Sequence, residues 1–373
     1  MLISSVAETP LRTFAYEIQR LNSRKNSHRY RSAFWRNMLP VFAAILLVPV
    51  CHAASASERR PVTHIPSSAA IWFHPLPSAS AWPGGNPVGG SVDFLELFQA
   101  NPPWPRALAK TQVFGLYAGW IVAAADQELQ QVVTFLNAHN MGIEIEAPAL
   151  QALENCGTGV EGYVPFGQSL PQFTLAYLQR LRALNAPVRF IKVDEPFWFG
   201  SVTNDPRSCH FSVPQVASEV GQYAQLVKTV YPNAAVGDVE PIITALYQPN
   251  VVVAIQQWHA TYQALTGAPF PFFVADTDFG NPIWPTLDKR LEAVTRQSGM
   301  AFGIIYIGDP QDVSDAEWSR KAVARFELYQ GENGGRPDFV LFQSWEPHPQ
   351  YCLPETDPAS FTGVLDNYIQ ATD

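Results

Sequence analysis

Short apolar runs recur along the chain and alternate with segments of helical spacing. The runs are rich in β-branched and aromatic residues and are bounded by turn-forming residues, which is typical of buried strands. We predict eight strands, at residues 70–74, 112–117, 142–146, 188–194, 235–240, 272–276, 302–307 and 339–345.

The segments between these runs carry apolar residues three and four positions apart. Leu129, Val132 and Leu136 form one such stripe, and Pro214 stands where the first turn of another helix is expected. Alternating strands and helices predict a parallel sheet with right-handed crossovers. Eight such units predict an α/β fold of the (β/α)8 TIM-barrel type, which we place at residues 67–373 as one mature domain.

The first 53 residues are typical of a secretory signal. A basic stretch precedes a short apolar run at residues 38–50, and small residues follow it. The run is shorter than the roughly 20 residues that span a bilayer, although an uncleaved anchor is the alternative. We expect a signal or anchor at residues 1–53, a linker at residues 54–66, and a secreted or periplasmic protein whose only link to a membrane is this segment.

The net charge limits the classes of binding partner, and the cysteine content indicates a disulfide and no zinc site. The net charge is −9, and the predicted signal holds more basic than acidic residues, so the remainder is more acidic still. Nucleic acid is therefore excluded as a partner. An oxidising compartment allows one disulfide among the three later cysteines, and we predict the pair Cys156–Cys209, with Cys352 left over. The cysteine and histidine spacing does not resemble a zinc site, and no cofactor is predicted.

Acidic residues concentrate where the predicted strands end. In a barrel these ends converge on one rim, where active sites lie. Side chains alternate along a strand, so Lys192 and Asp194 share one side and Glu195 takes the other. Some of these carboxylates are expected only to cap helices. The acidic strand ends are 144–146, 194–195, 238–240, 276–278, 309 and 346.

Asp194-Glu195-Pro196 after the fourth strand resembles the Asn-Glu-Pro of the large clan of retaining (β/α)8 glycoside hydrolases. The resemblance implies that Glu195 is the acid/base and that Trp345 floors the subsite for the cleaved sugar. The chain departs from the clan at Asp194, which replaces the Asn, and at Asp309, which follows the strand where the clan has a nucleophilic Glu. The adjacent Asp-Glu pair also resembles the substrate-assisted hexosaminidases.

A glycosidase needs one protonated and one ionised carboxyl group. We expect Glu195 to donate the proton and Glu240 to lie across the same cleft, with Asp309 and then Asp276 as alternative partners and Asp194 beside them. Aromatic and polar residues near the strand ends suit sugar stacking and hydroxyl binding. The predicted substrate-binding residues are Trp72, His74, Glu146, Trp198, Tyr306, Gln343 and Trp345.

The sequence thus predicts a secreted glycoside hydrolase-like enzyme that acts on a polysaccharide or oligosaccharide by carboxylate acid/base catalysis. Two alternatives stay open. Glu146, Asp194 and Glu240 could hold Mg²⁺ or Ca²⁺ in a metal-dependent barrel enzyme. A catalytically silent barrel that binds glycan is the other.

Overall fold

The computed structural model describes residues 65–77 and 90–373. The predicted signal or anchor at residues 1–53 and most of the linker lie outside these residues. Eight strands form a closed barrel in chain order, and every neighbouring pair is parallel. This confirms the predicted (β/α)8 architecture and the fold that the resemblance implied. The strands are β1 (Ala70–His74), β2 (Thr111–Tyr117), β3 (Gly142–Ala147), β4 (Val188–Asp194), β5 (Ala235–Pro241), β6 (Phe272–Asp276), β7 (Ala301–Tyr306) and β8 (Phe339–Gln343).

Helices lie between the strands and cover the barrel. Each predicted strand is present, with ends shifted by at most two residues. The α-helices are α1 (Pro105–Lys110), α2 (Ala118–Ala123), α3 (Asp126–Ala138), α4 (Leu170–Ala183), α5 (Val213–Val230), α6 (Val251–Thr266), α7 (Trp284–Gln297), α8 (Asp315–Phe326) and α9 (Phe361–Thr372). The described residues also form a 3-10 helix (Phe94–Phe98) and two π-helical turns (Trp198–Val202 and Glu327–Glu332). Within residues 65–77 and 90–373, no helix is both long enough and apolar enough to span a bilayer.

Aromatic side chains fill the amino-terminal half of the barrel interior. The Trp72 ring stacks on Phe339 with centroids 4.2 Å apart and lies 4.5 Å from Phe190. Glycine at neighbouring positions makes room, because a Cβ at Gly303 would lie 2.3 Å from the Phe339 ring. Large side chains facing small ones fill the interior in layers. The lower half of the barrel is therefore a packed core, and any site must lie above it.

The predicted disulfide is present in the loops at the carboxyl ends of the strands. Cys156 in the β3–α4 loop is bonded to Cys209 in the β4–α5 loop, with Cα atoms 4.9 Å apart. Cys352 is a buried free thiol. The bridge ties together two loops that border the end of β4, where the acidic pair lies.

Candidate active site

Polar side chains line the carboxyl-terminal half of the barrel interior. Lys192 on β4 donates a hydrogen bond to Gln343 on β8, and these strands face each other across the barrel. The contact therefore crosses the interior. Paired positions in a sheet share a face, so the register carries this orientation to Glu146, paired with Lys192, to Tyr117, paired with Glu146, and to His74, paired with Gln343.

Lys192 is the centre of a buried polar network. Its Nζ lies 2.6 Å from Glu146 Oε2, and Gln343 Nε2 donates to both Glu146 and the Tyr117 hydroxyl. Burial opposes the charge on Lys192, but the carboxylates of Glu146 and Glu144 outweigh it, so the pKa of Lys192 is raised. Burial also opposes the charge on Glu146, and Lys192 outweighs it, so the pKa of Glu146 is lowered. Both groups stay ionised at neutral pH and form a fixed floor beneath the rim.

A second polar pair lies at the level below. His74 Nδ1 is 2.9 Å from Glu144 Oε2, and both side chains are fully buried. Gly115 makes this possible, because a Cβ there would lie 2.1 Å from the His74 ring. His74 and Glu144 are thus part of the support beneath the site, out of reach of a ligand at the rim.

Two half-buried aspartates stand above this floor. Asp194 follows Lys192 by two residues and therefore faces the interior. Its pair on β5 is Val239, which in turn pairs with Val274 on β6. Asp276 follows Val274 by two residues and takes the same side. The structure thus places Asp194 and Asp276 on the inner face of the rim.

Glu195 directly follows Asp194 and has a φ of 45°. Side chains alternate only along a regular strand, and a left-handed residue breaks that alternation. Glu195 is half-buried. Burial, followed by the charges of carboxylates that include Glu240, Glu195 and Asp276, raises the pKa of Tyr247 well above its usual value. Glu195 and Asp276 are therefore both close enough to Tyr247 for their charges to disfavour its ionisation.

Two half-buried tryptophans, Trp198 and Trp345, lie at the same end of the barrel. Trp198 begins the π-helical turn after β4 and packs against Tyr247, with ring centroids 5.7 Å apart. Trp345 comes two residues after the end of β8 and packs against the core. Both keep exposed surface next to the acidic strand ends.

Glu240 does not lie across the cleft as predicted. It pairs with Ala275 while Val239 faces the interior, so Glu240 points outward to the helix side. Its carboxyl oxygens accept hydrogen bonds from the backbone N–H groups of Phe197 and Trp198 at 2.7 and 2.9 Å. Burial and then the charge of Asp238 raise the pKa of Glu240. Its raised pKa belongs to a support group behind the rim.

Asp309 is also drawn away from the interior. It forms ion pairs with Lys321, at 2.8 Å, and with Arg325, both on α8. Burial opposes its charge, but the hydrogen bond from Lys321 and the charge of Arg325 outweigh burial, so the pKa of Asp309 is lowered. A lowered pKa suits the ionised partner of a proton donor, but the ion pairs hold this carboxyl group against α8.

Two predicted stacking residues are buried in the packed layers. Trp72 belongs to the aromatic plug in the lower barrel. Tyr306 faces the helices, where its hydroxyl accepts a hydrogen bond from Gln330 at 2.8 Å. Both rings are buried, so neither offers a face to a sugar at the rim. An aromatic residue in an apolar run fits core packing as well as sugar stacking, so the sequence could not separate the two roles.

The carboxylates proposed to hold a metal are not brought together. Glu146 binds Lys192 inside the barrel, while Glu240 binds backbone on its outer side. In the part of the chain that the structure describes, no group of three or more His, Cys, Asp or Glu side chains is arranged to hold an ion.

The sequence does not reveal the role of Lys192, which it only places on the same side of the strand as Asp194. The signal was a lysine set among the apolar residues Phe190, Ile191 and Val193, since such a residue is buried only when it is paired. What the sequence could not show is that its partners, Glu146 and Gln343, come from other strands.

The fold and site define a (β/α)8 barrel with carboxylates and tryptophans at its carboxyl end. No protein-family model and no curated protein matches the chain. Two fungal β-1,4-galactanases are described in one similar solved structure, with 10% identity, a TM-score of 0.49, and coverage of 71% of this chain and 90% of that one. A GH53 catalytic domain from Ignisphaera aggregans has 11% identity, a TM-score of 0.46, and coverage of 87% and 100%. A 3-keto-D-glucoside 4-epimerase from E. coli has 11% identity, a TM-score of 0.42, and coverage of 82% and 99%. At these values the likeness says nothing about the reaction.

Proposed function

We propose that this protein is an exported glycoside hydrolase that cleaves a polysaccharide or oligosaccharide at the carboxyl end of the barrel. The observation that carries the proposal is the arrangement at the rim. Asp194, Glu195 and Asp276 lie there half-buried, with Trp198 and Trp345 beside them. Carboxyl groups supply acid/base chemistry for glycosidic bonds, and indole faces suit the apolar faces of sugar rings.

In this proposal Glu195 is the proton donor, and Asp276 replaces Glu240 as its partner. Asp276 qualifies because it faces the interior and shares the surroundings of Tyr247 with Glu195. Asp194 acts between them, either on a water or on a substituent of the sugar, as in substrate-assisted catalysis. The ionised pair of Lys192 and Glu146 holds the floor on which the sugar rests.

The Cys156–Cys209 bridge supports export, because disulfides persist in oxidising compartments. This agrees with the basic and apolar segment that opens the sequence. The proposed location is secreted or periplasmic.

The test is release of reducing ends from a panel of neutral, acidic and amino-sugar polysaccharides. On a substrate that the wild type cleaves, Glu195→Gln removes the titrating proton and lowers kcat roughly 10²-fold or more. The matched control is Glu154→Gln, an exposed carboxylate in the β3–α4 loop, which keeps wild-type activity. Full activity of Glu195→Gln would refute the assignment. Binding of a glycan without any release would identify a silent binding barrel instead.

A further inference from the structure

The backbone at Glu195 is in a conformation that an ordinary side chain rarely adopts. Its φ is 45°, within the left-handed region, where the Cβ approaches the following carbonyl oxygen. Asn tolerates this region because its short side chain bonds locally, and Asn140 and Asn185 adopt it here. Glu is not among the residue types that favour this region. Such strain persists only where the surroundings fix the backbone.

The surroundings that fix it come from β5. Glu240, which is fully buried, accepts the N–H of Phe197 on one carboxyl oxygen at 2.7 Å and the N–H of Trp198 on the other at 2.9 Å. Pro196 has its φ fixed by its own ring. The N–H of Phe199 donates to the Glu195 carbonyl at 2.9 Å. The backbone of the residues that follow Glu195 is thus fixed, and the change of chain direction after β4 is made at Glu195.

We infer that Glu240 is a positioning residue for the site, whose carboxyl group holds the backbone of residues 195–198 and so keeps Glu195 left-handed, with Trp198 beside it. The inference rests on the proposed function only in that Glu195 is named as the acid. The backbone relation between Glu240 and Glu195 does not depend on any substrate.

A simpler role for Glu240 would be to cap the short helix after β4. The chain contains a matched example of a carboxyl group that accepts two successive backbone N–H groups, in a loop. Asp93 accepts the N–H groups of Cys352 and Leu353 at 2.7 and 2.9 Å. Among the described residues 350–353 that surround this pair, no φ is positive. Asp93 therefore makes the same bidentate contact to a backbone that contains no left-handed residue.

The experiment is a double-mutant cycle on the whole chain, followed by urea unfolding. Glu240→Gln leaves one acceptor for two N–H donors. With Glu195 present, release of the left-handed backbone offsets part of the loss, and we expect only about a twofold rise in the unfolding equilibrium constant. With Glu195→Gly, a residue that adopts the left-handed region at no steric cost, there is no strain to release, and we expect the full rise of about tenfold. Asp93→Asn should raise the constant by the same factor in both backgrounds.

Equal factors for Glu240→Gln in the two backgrounds would overturn the inference. Failure of Glu240→Gln to fold with Glu195 present would also overturn it, because release of the strained backbone should limit the loss in that background. Because unfolding needs no substrate, a negative result here leaves the proposed hydrolase intact. A negative glycan assay likewise leaves the relation between Glu240 and Glu195 intact.

Discussion

At the scale of single residues, the side of the sheet that a carboxyl group faces decides its chemistry. Glu146 faces the interior beside Lys192, and its pKa is lowered although burial opposes this. Glu240 faces the helices, where burial and then Asp238 raise its pKa. A raised pKa is therefore not by itself the mark of a proton donor in this protein. Exposure at the rim, as at Asp194, Glu195 and Asp276, is the additional requirement.

Asp288 provides a test of how burial acts on a carboxyl group here. Burial raises its pKa to about 8, although Thr277 donates a hydrogen bond to it at 2.8 Å. Between the unfolded pKa and the folded one, the folded state holds one more proton, so stability falls as pH rises. The expected slope is about 1.4 kcal/mol per pH unit from this group over that interval.

Asp288→Asn keeps an acceptor for Thr277 but cannot ionise. We expect its free energy of unfolding, measured by urea denaturation from pH 4 to pH 8, to fall less with pH than that of the wild type. The matched control is Glu332→Gln, which removes an exposed carboxyl group. This variant should leave the slope unchanged. A wild-type slope retained in Asp288→Asn would contradict the assignment.

At the scale of elements, eight strands could be predicted because apolar runs and helical stripes are local properties of the sequence. The orientation of β5 could not. Its sequence alternates acidic residues with glycine and valine, and this pattern predicts that the acidic side faces the wet interior. The structure instead buries Asp238 against Trp258 and His259 of α6, each 2.9 Å away. Trp258 and His259 belong to the helix layer outside the barrel. Only the packing of that layer against the sheet shows on which side of β5 an acidic side chain finds hydrogen-bond partners.

The same alternation explains the glycines of the interior. Gly303 faces the aromatic plug, and a Cβ there would lie 2.3 Å from the Phe339 ring, which Trp72 also confines. We expect Gly303→Ala to lower the free energy of unfolding by about 1–3 kcal/mol through overpacking, as measured by chemical denaturation.

Gly331→Ala is the matched control. Its Cβ would meet Ile65 no closer than 3.6 Å, and alanine favours a helical backbone. Stability should be unchanged or slightly higher. An equal loss in both variants, or no loss at Gly303, would contradict overpacking of the plug.

At the scale of the whole molecule, barrel closure gathers strand ends that are far apart in sequence. The resemblance at Asp194-Glu195-Pro196 and the rule that strand ends form the active face both point to this rim. They could not separate Asp276 from Asp309, because both follow a strand and precede a helix. The distinction comes from Lys321 and Arg325, whose charges hold Asp309 to α8. Asp194, Glu195 and Asp276 are left as the carboxyl groups of the proposed site.

The most direct test of this proposal is a crystal structure of the Glu195→Gln variant with an oligosaccharide from the substrate that the wild type cleaves. The account predicts sugar over the ends of β4 and β6, with the scissile oxygen within hydrogen-bond reach of residue 195, Asp276 on the other side of the bond, and a ring stacked on Trp198 or Trp345. A glycan bound with Glu195 and Asp276 both out of reach would contradict it.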